Sequence, residues 1–67
     1  MWTVVYIAPN ERKANSLFGK MTEEGMMVRL RPLKSSLNAE VTSVEILVPE
    51  TEAEEAMEFI RSILPQV

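Results

Sequence analysis

Val41-Thr42-Ser43-Val44-Glu45-Ile46-Leu47-Val48 contains neither Pro nor Gly and is rich in β-branched residues, a composition that suits a pleated backbone better than a helix. It alternates imperfectly between two faces, the pattern of a strand covered mainly on one side. We read it as the central strand of a single small sheet and place the other segments against it.

A chain of 67 residues makes one domain and buries only about 60% of the surface its unfolded chain exposes. Such a chain usually needs disulfides, a metal or a partner subunit. There is no Cys and no His, which removes disulfides, thiolate sites, the commonest metal ligand and the commonest general base. Oligomerisation is the remaining route. The net charge of −3 argues against wholesale nucleic-acid binding, which rests on a basic surface, while leaving room for a local basic patch. No apolar run approaches the roughly 18 residues of a spanning helix, and no basic start followed by a hydrophobic segment marks a secretory leader. No membrane partner is expected, and the cytoplasm is the default location.

In chain order, Trp2-Thr3-Val4-Val5-Tyr6-Ile7-Ala8 is β-prone and stops at Pro9, so it predicts strand one. Asn10 stands where an N-cap would, Glu11 suits the positive end of a helix, and Ala14, Leu17, Phe18 and Met21 form one apolar stripe ending at Gly25. Gly19, inside that helix, costs about 1 kcal/mol against Ala unless close packing requires it. Met26 to Leu33 predicts a half-buried strand two, with Val28 and Leu30 on one face and Arg29 and Arg31 on the other. Pro32 marks it as an edge. Lys34 to Glu40 is a polar connecting loop.

Pairing strands two and three antiparallel, with Leu33 facing Val41, sets Leu30 against Val44, Val28 against Ile46, Met26 against Val48 and Arg29 against Glu45. After Pro49, Thr51-Glu52-Ala53-Glu54 matches a capping box with Thr51 as N-cap. Ala53, Ala56, Met57, Ile60, Ile63 and Leu64 then form the second helix's buried stripe, with Phe59 on its flank and Pro65 past its end. Glu50, Glu52, Glu54 and Glu55 read as a solvated helix start, stabilised by the helix dipole, rather than as a metal site. No cofactor is expected.

The elements predict an α+β fold in β-α-β-β-α order: a three-stranded antiparallel sheet, order 1-3-2, with two helices on one face. This is a ferredoxin-like arrangement lacking its last strand. Strand one is then an open edge. It is apolar on both sides, and we expect Val5 and Ile7 beneath the helices, because Trp and Tyr tolerate a half-wet surface better. The open face would carry Trp2, Val4, Tyr6, Met27, Leu47, Arg29, Arg31 and Glu45. So large a patch predicts a homodimer through the strand-one edge or the open sheet face.

Trp2 to Asn10, the Glu24-Gly25 helix end, Val28-Arg29-Leu30-Arg31-Pro32 and Val44-Glu45-Ile46-Leu47-Val48-Pro49-Glu50 resemble small bacterial proteins grouped as prokaryotic signal-transducing domains. That family is similar in shape to the nitrogen-regulatory PII proteins. The resemblance covers most of the chain except Lys34 to Glu40. It implies a compact β-α-β-β-α domain with a role in signalling and hands over no catalytic residue. The long nucleotide-binding loop of true PII proteins is missing, so nucleotide binding is not implied.

The leading functional reading is a non-enzymatic regulatory or interaction module that binds a protein or a small anionic ligand. Its candidate binding residues are Arg29, Arg31 and Lys34, beside Ser35 and Ser36, with Trp2 and Tyr6 on the same face. The plainer reading of the basic residues is that they solubilise an edge strand and its loop. The alternative function is single-stranded RNA binding, with Trp2 and Tyr6 as stacking platforms and the arginines on phosphates. The acidic total and the missing RNP1 pattern oppose it. An enzyme is the weakest reading, because Ser16, Ser35, Ser36, Ser43 and Ser62 have no His to activate them and three strands with two helices leave little room for a cleft.

Overall fold

The β-branched run is the middle of the sheet. A computed structural model describes residues 1–34 and 41–66, and in it β3 (Val41–Pro49) is flanked antiparallel by β1 (Trp2–Ala8) and β2 (Arg29–Lys34). Helix α1 (Glu11–Glu23) joins β1 to β2, and α2 (Ala53–Ile63) follows β3. The order is therefore β-α-β-β-α with strands 1-3-2, as the sequence predicts. Pro32 lies on a margin strand, where a missing amide is tolerated.

Val44, Ile46 and Val48 project from one face of β3 and form the core with Ala14, Leu17 and Met21 of α1 and Ala56 and Ile60 of α2. Both helices therefore cover the same face. Leu47, of opposite parity, is buried but stands outside that core. The thinnest dimension, 16 Å, matches one sheet carrying one layer of helices.

Local signals account for α1. The Asn10 side chain accepts the Lys13 N–H at 2.8 Å, satisfying one of the first-turn amides. At the other end Gly25 adopts φ 87°, a conformation that costs other residues dearly. The Gly25 N–H donates to the Thr22 carbonyl and the Met26 N–H to the Met21 carbonyl, the bond pair of a Schellman motif. Phe18, expected in the stripe, is 37% exposed. Nothing lies within 4 Å of where a Cβ on Gly19 would sit, so close packing does not explain that glycine.

Helix α2 starts differently from expectation. Glu50–Glu52 form a 3-10 turn, and no side chain caps α2, so the capping box of Thr51 and Glu54 is not made. Tertiary bonds hold the segment instead: the Glu50 N–H donates to the Met1 carbonyl at 2.7 Å, and the Glu52 carboxylate accepts the Met27 N–H at 3.2 Å. Of the predicted α2 stripe, Ala56 and Ile60 are buried while Met57 is 43% exposed.

Two register differences matter for the open face. In β2, Leu30 opposes Ile46 and Arg31 opposes Glu45, two residues from the predicted pairing. A shift of two keeps every side chain on its expected face but changes its partner. In β1 a bulge falls between Val4 and Tyr6: Val4 opposes Leu47, Tyr6 opposes Ile46, Ile7 opposes Glu45 and Ala8 opposes Val44. One extra residue reverses the alternation beyond it. Tyr6 is thus on the helix side with Val5, packed against the core, and Ile7 is on the open side, 53% exposed. The expectation that Ile7 is core and Tyr6 is open-face is corrected accordingly.

Candidate sheet-face site

Pairing across the sheet builds the open face row by row. Val4, Leu47 and Arg29 form one row, and Ile7, Glu45 and Arg31 the next. Trp2 opposes Pro49 at one end, and Leu33 opposes Ser43 at the other. β3 provides the middle of each row, so the margins supply the side chains that close over it.

The Arg29 guanidinium carbon lies 4.4 Å from the centre of the Trp2 ring, a cation–π stack worth about 0.5–1 kcal/mol at an exposed site. Because Trp2 is on β1 and Arg29 on β2, the stack crosses β3. It roofs Leu47, which is 6% exposed on a face without helices. Arg31 Nε donates to Glu45 Oε1 at 2.5 Å, so the cross-strand ion pair uses Arg31 in place of the predicted Arg29. Partly exposed pairs of this kind contribute about 0.2–1 kcal/mol.

Of the predicted binding residues, the fold brings Trp2, Arg29 and Arg31 onto one face and puts Lys34, exposed, at the end of β2. Tyr6 is removed to the other side by the bulge. Ser35, Ser36 and the rest of the predicted loop through Glu40 lie outside the described residues. Ile7 and Leu33 belong to the face but were not among the predicted site residues. For Leu33 the available signal was its parity with Arg29 and Arg31 on β2; for Ile7 there was none, since the unbroken apolar run from Val4 to Ile7 fits either alternation.

The face is amphipathic in a particular way. Val4 and Leu33 are each 37% exposed beside the more exposed Ile7, while both arginines already have intramolecular partners. The stack uses only the flat face of Arg29 and the ion pair only Nε of Arg31, so N–H donors remain on both, while an apolar surface could settle on Val4 and Ile7 without breaking either contact. The Ser62 hydroxyl donates to the Phe59 carbonyl at 2.7 Å within α2. Among the described residues, no three acidic side chains are grouped to hold a metal, and no helix is long and apolar enough to cross a membrane.

No family model, curated protein or solved structure matches the chain.

Proposed function

We propose that this chain is a non-enzymatic regulatory or interaction module that works by docking on its helix-free sheet face and by pairing with a second copy. The observation that carries the reading is a helix-free face whose apolar side chains are each more than a third exposed, Val4 and Ile7 as neighbours on β1 and Leu33 across the sheet on β2, braced by the Trp2–Arg29 stack and the Arg31–Glu45 pair. Single apolar residues on a surface are ordinary, but a grouped set on one face marks an interaction site. A protein partner suits this surface better than a small anion does, because Val4, Ile7 and Leu33 are exposed beside the arginines and offer an anion no donor. A signalling role, the one implied by the resemblance to the small bacterial domains, is compatible with a surface that binds and does no chemistry. The absence of His and Cys from the sequence and the self-bonded Ser62 support the non-enzymatic part of the reading.

The test is affinity capture from the native host with the wild-type chain and with Ile7→Asp, whose charge would sit in the middle of the apolar surface. A partner retained by the first and lost with the second supports the reading. Identical capture by both contradicts it.

A further inference from the structure

We infer that the second copy docks on the margin formed by β1 and α2, as an antiparallel pair of β1 strands roofed by an antiparallel pair of α2 helices. The inference rests on the self-pairing half of the proposal above and names its surface and geometry.

Three observations converge on that margin. β1 is an outer strand of the sheet, and its seven residues, Trp2-Thr3-Val4-Val5-Tyr6-Ile7-Ala8, carry no charge and no Pro. Of the usual protections against pairing, its outward backbone groups have only the bulge between Val4 and Tyr6. Helix α2 packs on β1, and between them runs a groove lined by Val5, Tyr6, Met57, Ile60, Arg61 and Leu64. This is where the helix-facing side chains of an added strand would sit.

The third observation identifies the occupant. Glu54, Met57, Glu58 and Arg61 line one exposed surface of α2; Glu54 lies three residues before Met57 and four before Glu58, and Arg61 four after Met57 and three after Glu58, which puts them in a single stripe. The stripe opens on Glu54, carries Met57 beside Glu58 in its middle and ends on Arg61. A helix of this kind is complementary to its own antiparallel image: Arg61 of one copy meets Glu54 and Glu58 of the other, and the methionines meet near the centre. A twofold axis perpendicular to the sheet generates that arrangement, and the same axis makes the two β1 strands antiparallel. One symmetry operation thus satisfies the open edge, the groove and the charge stripe together, and it leaves both helix-free faces uncovered.

The margin is small. Seven residues of strand span about 23 Å, and with the 16 Å thickness of the molecule this gives a footprint of a few hundred Å² per copy, below the roughly 800 Å² of a standard stable interface. The expected association is micromolar.

Sedimentation velocity from about 5 to 500 μM, at low and moderate salt, tests the inference with the wild type and three variants. The wild type should shift from monomer to dimer across that range, more weakly at the higher salt. Arg61→Glu, which makes the stripe acidic throughout, should weaken the dimer about tenfold, and Glu54→Arg combined with Glu58→Arg should do the same. An equimolar mixture of these two variants should dimerise at least as well as the wild type, because each then presents the opposite charge to the other. The substitutions at Glu54, Glu58 and Arg61 lie on an exposed helix surface, and circular dichroism checks that each variant keeps the fold. Wild-type dimerisation unchanged by Arg61→Glu, together with loss of the dimer in Ile7→Asp, would place the interface on the open face; this overturns the inference and leaves self-pairing standing. A wild type that stays monomeric to the highest concentration overturns both, while partner capture through the open face remains a separate result.

Discussion

The two margins of the sheet are made of different materials. β2 presents Arg29, Arg31, Pro32 and Lys34 within six residues, while β1 presents no charge over seven. Charges and Pro on an outer strand discourage pairing with another chain, so the β2 margin is closed to self-association and the β1 margin has only its bulge at Val5 to interrupt it. The arginines of β2 also work inward: one stacks on Trp2 over Leu47 and the other pairs with Glu45. The β2 margin thus holds the face in shape, while the β1 margin carries no charge that would oppose pairing.

The largest effect should come from the bulge. Tyr6→Ala removes a side chain packed against the core and should cost about 2 kcal/mol in urea denaturation, whereas Ile7→Ala, on the open side, should cost under about 1 kcal/mol. The reverse ranking would mean that β1 alternates regularly and that its faces are exchanged. Next, Arg29→Ala should cost about 1 kcal/mol, because it removes the stack and uncovers Leu47 together. A Trp2 fluorescence change should accompany it, and neutrality on both counts would mean that β2 does not brace the face.

Gly19→Ala sits on neither margin and should stabilise the chain by up to about 1 kcal/mol, with the concentration dependence of association unchanged. A loss of stability there would revive the idea that α1 needs a bare backbone at this point. The smallest effect belongs to Arg31 and Glu45: a double-mutant cycle should give a coupling of about 0.2–1 kcal/mol that fades with salt. A cycle on Arg29 and Glu45 should give less, because the register pairs Glu45 with Arg31.

Much of this was legible in the residues. The Pro-free run at Val41 to Val48 and the Pro32 in the second strand were enough to order the strands, and Asn10 and Gly25 marked the ends of α1 through backbone chemistry that is local. The register of β2 was legible only in parity, since Arg29 and Arg31 are identical two residues apart and either can face Glu45. The bulge was not legible: Val4, Val5, Tyr6 and Ile7 are all apolar, so no residue type penalises one phase of the strand against the other. Thr51 misled for a different reason. Its capping pattern is intact, but the chain there is held by bonds to Met1 and Met27, which no local motif reveals. Consequently the face was readable as a face, while its membership changed at Tyr6 and Ile7.

Amide hydrogen exchange, followed residue by residue at low and high protein concentration, compares the two margins in one measurement. The account predicts that amides of Trp2–Ala8 that exchange quickly in dilute solution become protected as concentration rises, while those of Arg29–Lys34 do not change. Protection that appears along β2, or β1 amides indifferent to concentration up to 500 μM, roughly the range in which micromolar pairing must show, would contradict it.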